Sequence, residues 1–457
     1  MPDNPYLNHL EQIFRAGLLR ADPYQMFIDH LTLEGDVLKV QFEDELRVFD
    51  LSRFRRIVIL GAGKASARMA QAVEDVLGER ISAGLIAVKY GYTADLRIVR
   101  QMEAGHPVPD ENSLRAAREA AALAAGLDEA TLVINLISGG GSALFEGLIE
   151  VPGDGGVALT LADLQQTTQV LLRCGAEIQE INCLRKHLST VKGGQLVRLL
   201  YPATTLNFIL SDVIGDRLDA IASGLTVPDS TTFADAQAVI ERYAIADQLP
   251  ATVGRAIALG VAGQIPETPK PGDPIFERSH NLLLGSLYNS LLAAGEAARA
   301  LGYNTLVLTS QLTGEARELA KFLVGLARDT QKRQLAAPRP ACLIAGGEST
   351  VTLRGSGRGG RNQEMALAFL CEMKTDPATL EGVYFLSAAT DGSDGPTDAA
   401  GAFAALPLYQ AALQQGLRPE DYLKNNDAYT FYQALGGLLK TGPTGTNVCD
   451  LQIVLIV

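Results

Sequence analysis

Short apolar runs alternate along this chain with longer stretches of helical period, the rhythm of a mostly parallel sheet wrapped by helices. The runs predict strands at Arg56 to Leu60, Gly84 to Lys89, Leu132 to Ile137, Leu206 to Leu210, Leu282 to Gly285, Thr305 to Leu308, Cys342 to Ala345, Val383 to Leu386 and Leu451 to Ile456. Helices fit between many of them. From Thr160 to Leu172 the signal is explicit: Thr160 can cap, Asp163 stands where a capping-box partner belongs, and Leu161, Leu164, Leu171 and Leu172 supply an apolar face.

A proline-rich stretch between Gly263 and Phe276 can continue neither a helix nor a central strand, so it marks a domain boundary. It divides the chain into residues 1–268 and 269–457. With 457 residues, length alone suggests about two to three domains of roughly 150 residues. The break at Ala336 to Pro340 is shorter and reads as a loop inside the second domain.

A hydrophobic content of 47% excludes a mainly disordered protein. The net charge of −13 argues against nucleic acid or an anionic membrane as partner, while leaving room for a small anion in a local basic cleft. Cys174, Cys183, Cys342, Cys371 and Cys449 lie far apart with no CxxC pair, as expected of reduced thiols in a cytoplasmic protein. No uncharged apolar run reaches membrane-spanning length, and the N-terminus carries no export signal pattern.

Glycine loops follow several of the predicted strands. Gly61-Ala62-Gly63-Lys64 sets Lys64 in the expected first turn of a helix, a phosphate-favouring position. It fails the P-loop spacing and half-fits GxGxxG; the next strand ends in Lys89 and Tyr90, where a nicotinamide site needs an acid for the ribose. Ser138-Gly139-Gly140-Gly141-Ser142 offers consecutive N–H donors and two hydroxyls, more glycine than a tight turn requires. Leu144 stands where a nucleophile elbow needs glycine, which counts against Ser142 as a hydrolase nucleophile.

Further along, Arg185, Lys186, His187 and Lys192 fit either a solvated helix face or a carboxylate-binding surface. Asp212 follows the strand Leu206 to Leu210 and is a candidate base or magnesium ligand. Gly359-Gly360-Arg361-Asn362-Gln363-Glu364 brings Arg361 to the start of a helix predicted over Glu364 to Leu370, in position for a transferring phosphate. Asp391, Asp394 and Asp398 fall within one glycine-rich turn that lacks EF-hand spacing; Asp391 and Asp394 are the candidate magnesium ligands, with Asx turns as the plainer reading. His106, in Gly105-His106-Pro107-Val108-Pro109-Asp110, reads as a structural histidine, and no HxxH or HxxxH pair suggests zinc.

Eight segments then carry a resemblance. GAGKAS, GHPVPD, LISGGGSAL, RKHLSTVKGG, LSDVIGD, GGRNQE, TDGSDGPTDAAG and TGPTGTNVCDL occur in this order, and together the chain from about Arg56 onward resembles the class II glycerate 2-kinases, often labelled hydroxypyruvate reductases. Leu225, Ala389, Ser393 and Ser349 depart from the residues usual in that family. The resemblance implies an α/β protein with an N-terminal Rossmann-like three-layer domain and a C-terminal α/β domain of the MOFRL type with a mixed sheet. It also implies transfer of the γ-phosphate of ATP to the 2-hydroxyl of D-glycerate, with magnesium, and it puts the family's important lysine and arginine on Lys64 and Arg361.

The expected mechanism is direct in-line transfer, because positioning groups are present and no convincing nucleophile is. Lys64, Arg361 and Asp212 are the expected catalytic residues. Gly61, Gly63, Ser138, Gly139, Gly140, Gly141, Ser142, Asn362 and Gln363 are expected to hold nucleotide phosphates, and Arg185, His187 and Lys192 the substrate carboxylate. With Lys64 and Arg361 in different domains, cleft closure is expected to assemble the clamp. Two alternatives stay open: a nicotinamide-dependent hydroxypyruvate reductase, and a noncatalytic sugar-phosphate-binding regulator. A homodimer stays open as its assembly.

Overall fold

The computed structural model describes residues 4–42, 45–153, 155–374 and 377–457. The chain folds as two compact units, Pro23–Leu284 on one hand and Gly285–Val457 with Met1–Asp22 on the other. The proline-rich stretch is therefore no boundary: it lies inside the first unit, and the chain still adds a strand to that unit's sheet before it leaves. Nor do the first 22 residues belong with those that follow them. Among the described residues no helix is long and apolar enough to cross a membrane.

In the unit Pro23–Leu284 a small antiparallel sheet is formed by β1 (Leu31–Glu34), β2 (Val37–Phe42) and β3 (Glu45–Asp50). The main sheet follows: β4 (Arg56–Ala62), β5 (Ile81–Lys89), β6 (Arg100–Ala104), β7 (Thr131–Ile137), β10 (Thr204–Leu210) and β11 (Ser279–Gly285). Between β7 and β10 a two-stranded ribbon intervenes, β8 (Glu150–Val151) and β9 (Val157–Ala158). The six main strands run in the order β11-β10-β7-β4-β5-β6, and β10, β7, β4, β5 and β6 pair in parallel. Helices cover both faces of such a sheet, so its strands are continuous apolar runs; Thr131 to Ile137 are all buried. The chain winds outward from β4 through β5 and β6, then returns to the other side of β4 at β7. That reversal makes the crevice beyond the carboxyl ends of β4 and β7 the expected ligand position.

The other unit carries a mixed sheet: β12 (Asn304–Glu315), β13 (Ala341–Thr350), β14 (Val383–Ala389), β15 (Gly401–Ala405), β16 (Leu438–Leu439) and β17 (Asp450–Ile456), in the order β12-β13-β17-β14-β15-β16. Only β12 and β13 pair in parallel; β13 with β17, β17 with β14, and β14 with β15 are antiparallel. The helix Pro5–Arg20 closes this unit's core with Leu7, Leu10, Ile13 and Phe14. At Gly17 it approaches the helix Leu287–Ala300 so closely that an added Cβ would stand 2.9 Å from the Ser290 carbonyl oxygen.

Candidate active site

Register places the site. Gly61 and Ala62 of β4 lie beside Leu136 and Ile137 of β7, and Ile209 of β10 lies beside Ile137. The Lys64 loop, the triple-glycine loop and Asp212 therefore emerge together at the carboxyl edge. They are tied to one another: the Lys64 amide donates to the Gly139 carbonyl at 2.9 Å, and the Ala65 amide donates to the Ser138 hydroxyl at 3.0 Å. Gly139 is glycine because the Asp212 carboxylate occupies the space of its missing side chain. At Gly140, with φ of +85°, the same space holds the His106 ring, whose Cδ2 and Nε2 lie 2.9 and 3.1 Å from the absent Cβ, with Lys64 Cγ at 3.4 Å.

Next to this edge opens a cavity of about 320 Å³ lined by His106, Gly140, Ser142, Arg185, Lys192 and Glu146, with an apolar wall that includes Val108 and Leu164. Two cations at this edge, Lys64 and Arg185, are half-buried, and neither has a hydrogen bond or ion pair with another described side chain. Burial pulls the Arg185 guanidinium below its ordinary value, partly offset by Glu146. Other buried lysines of this unit are paired. Lys192 is 1% exposed and held by Glu146, whose other oxygen accepts from the Ser189 hydroxyl at 3.1 Å. Lys186 pairs with Asp229 at 3.3 Å.

The family described as a domain of unknown function, DUF4147, matches residues 9–258, and the MOFRL family matches residues 341–450. A glycerate 2-kinase of Pyrococcus horikoshii is 39% identical over 95% of this chain and 94% of its own length. A D-glycerate 2-kinase of Thermotoga maritima is 42% identical over 88% of this chain and 91% of its own. Human glycerate kinase is 36% identical over 97% and 92%. The crystal structure of a Thermotoga maritima glycerate kinase superposes with a TM-score of 0.84 at 38% identity, covering 98% of this chain and 99% of that one. This chain belongs to the class II glycerate 2-kinase family.

Several residues of this glycerate 2-kinase family member lie elsewhere than expected. Lys64 precedes the helix Ser66–Leu77 and sits in the loop before its cap, not in its first turn. Gly61 is the penultimate residue of β4, and glycine is needed there for the Leu136 carbonyl oxygen, 2.7 Å from where a Cβ would stand. Ser138 is 1% exposed and its hydroxyl joins the two loops, so it is a tie between them and no phosphate ligand. His187 is fully buried, with Nδ1 2.8 Å from the Cys183 carbonyl, Nε2 3.2 Å from Glu267 and the ring against Phe233. It belongs to the core and does not line the cavity. Ser142 keeps its place on the wall, its hydroxyl 2.8 Å from that of Ser223.

In the unit Gly285–Val457 the helix Arg361–Glu372 begins at Arg361 itself. The guanidinium grips Asp450 through Nε at 2.5 Å and Nη2 at 2.9 Å and reaches Glu348 through Nη1 at 2.8 Å. Burial opposes its charge, but Asp450 and Glu348 hold it above the ordinary arginine value. Asn362 and Gln363 are fully buried, and both amides donate to the Asp394 carboxylate, at 3.0 and 2.8 Å. Asp394 is thus the acidic cap of this helix, 2% exposed, and its expected role as metal ligand is corrected, as is nucleotide binding by Asn362 and Gln363. Asp391, half-buried, accepts from the Ser393 amide at 2.9 Å in an Asx turn. Among the described residues no group of three or more His, Cys, Asp and Glu side chains is arranged to hold a metal ion. A lone carboxylate fits magnesium in the form it takes in kinases, with most of its ligands from water and phosphate.

Sequence reasoning missed His106. Its nearness to Gly140 comes from tertiary packing, and no spacing along the chain signals it.

Proposed function

We propose that this chain catalyses transfer of the γ-phosphate of ATP to the 2-hydroxyl of D-glycerate, giving 2-phosphoglycerate and ADP. The observation that supports it most is the pair of half-buried cations, Lys64 and Arg185, neither hydrogen-bonded nor ion-paired to a described side chain, set about one glycine loop in a protein of net charge −13. A buried cation without a protein counter-ion is costly, and an anionic ligand removes that cost.

Arg185 takes the glycerate carboxylate in its planar fork, with Ser142 and the Gly140 backbone beside it. Lys64 faces the transferring phosphoryl group from the neighbouring loop. Arg361 is the second proposed phosphate cation: its Glu348 partner is half exposed and can give way, while Asp450 keeps the side chain in place. ATP with magnesium supplies the phosphoryl group and the neutralising charge, and Asp212, at the edge that carries Lys64, is proposed to hold the ion. Transfer is direct and in line: the Ser142 hydroxyl on the cavity wall meets Ser223 and has no hydrogen bond to a base among the described residues. The five cysteines, none of them joined in a disulfide among the described residues, support a cytoplasmic setting.

Phosphorus NMR of the protein with ATP, magnesium and D-glycerate tests the reading. The expected outcome is 2-phosphoglycerate and ADP, with loss of Lys64 in Lys64→Ala lowering kcat about 10²- to 10³-fold. A 3-phosphoglycerate product overturns the regiochemistry. No product, with oxidation of a reduced nicotinamide on adding hydroxypyruvate, overturns the kinase itself.

A further inference from the structure

The cavity that holds Arg185 has two lining groups able to take a proton, His106 and Glu146. Glu146 is 1% exposed and committed to Lys192 and Ser189. Asp212, the acid expected as a base, packs beneath Gly139 and is not part of the cavity wall. His106 is different from three of the other histidines, His9, His30 and His187, each of which has Nδ1 2.8 Å from a protein oxygen. Neither ring nitrogen of His106 bonds a described group, and Nε2 lies against Gly140, in the wall it shares with Arg185.

We propose that His106 is a catalytic residue whose Nε2 accepts the proton of the substrate's 2-hydroxyl as that oxygen attacks the γ-phosphorus. This rests on the kinase reading above. A carboxylate seated on Arg185 brings its 2-hydroxyl within the same small chamber, one carbon away. In the step, the hydroxyl O–H bond breaks and an N–H bond forms on the imidazole. The oxygen's electron pair forms the new O–P bond, and the bond from phosphorus to the bridging oxygen breaks, its pair leaving with ADP. The imidazolium then returns its proton to water.

Burial, Lys64 and Lys89 pull the His106 imidazole down to about 4, so it stands neutral and ready to accept at physiological pH. A base this weak suffices, because the attacking hydroxyl becomes strongly acidic only as it bonds to phosphorus; the aspartate of protein kinases serves at a comparable pKa. The positive potential that depresses the imidazole is the same one that attracts the two anionic substrates.

The test compares wild type, His106→Gln and His106→Ala under saturating ATP and magnesium. We expect kcat to fall about 10²- to 10³-fold in both, with KM for D-glycerate within about threefold, and added imidazole to restore part of the kcat of His106→Ala only. A kcat near wild type in His106→Gln overturns the proposal. So does a loss confined to KM, or a loss in His106→Ala that imidazole leaves unchanged. If His106→Ala does not fold, His106→Gln decides on its kcat-against-KM split alone. An inactive wild type refutes the kinase reading instead, so the two failures are distinguishable.

Discussion

Arg185 and Lys192 line the same cavity but are held there differently. Arg185 has no hydrogen bond or ion pair with a described side chain, whereas Lys192 is 1% exposed and locked to Glu146. Burial lowers the Lys192 ammonium, and Glu146 opposes that shift. Their truncations should therefore separate. Arg185→Ala is expected to raise KM for D-glycerate strongly while leaving the melting temperature near wild type. Lys192→Ala strands the Glu146 carboxylate and is expected to cost about 3–5 kcal/mol of stability. Thermal unfolding beside steady-state kinetics checks both, and a destabilised Arg185→Ala with normal KM would refute the assignment. Arg361 resembles Lys192 in this respect, since its removal leaves Asp450, which is 0% exposed, without its cation. A loss of activity in Arg361→Ala speaks for catalysis only if the protein still melts where wild type does.

Two loop and helix junctions set the site at the scale of elements. Any side chain at Gly139 must push the Asp212 carboxylate aside, so Gly139→Ala is expected to cost about 1–3 kcal/mol and to abolish most activity; full activity would show that Asp212 need not stay where it is. The Asp394 cap makes a pH prediction of unusual sign. Burial raises this carboxyl to about 6, against the opposing Gln363 and Asn362 amides and with Asp450 adding to the rise. The folded state thus binds the proton more tightly than the unfolded chain, so stability falls as pH climbs from about 4 to 6, by at most about 3 kcal/mol, and is flat above. Asp394→Asn should remove that slope, read as the difference between the two melting curves across this range; identical slopes would refute it. These junctions also show what the sequence makes legible. Strands buried on both faces, such as β4 and β7, are largely apolar runs, interrupted in β7 by Asn135, and are legible within a few residues of their bounds. The Thr160 and Asp163 capping box is local chemistry and forms as read. The half-exposed β1 to β3 and the alanine-rich β15 lack both signals and pass for loop or helix. Spacing gathered Lys64, Gly140, Ser142, Arg185 and Asp212, but it could not tell which side of a helix turns inward. Hence His187 and Gln363 read as ligands although they are core, and His106 reads as structural although it lines the cavity.

For the molecule as a whole, chain order and folding unit disagree at the N-terminus. The family resemblance begins near Arg56, and the prolines between Gly263 and Phe276 read as the domain boundary, yet the helix Pro5–Arg20 is built into the unit whose remaining residues start at Gly285. Its Leu7, Leu10, Ile13 and Phe14 are each at most 5% exposed. Burial of such side chains is worth about 1.5–3 kcal/mol apiece, so the helix carries several kcal/mol for a unit that begins hundreds of residues later in the chain. Local periodicity cannot report this, because an amphipathic helix advertises that it packs, never on what. Deleting residues 1–22 is thus expected to unfold or loosen Gly285–Val457 while Pro23–Leu284 keeps its protection. Hydrogen exchange read peptide by peptide resolves the two, with β13, β14 and β17 losing protection and β4 and β7 keeping it. Phe14→Ala should produce a milder form of the same pattern, about 3–5 kcal/mol. If protection instead fell in β4 and β7, the N-terminal helix would belong to the other core, and the division at Asp22 would be wrong.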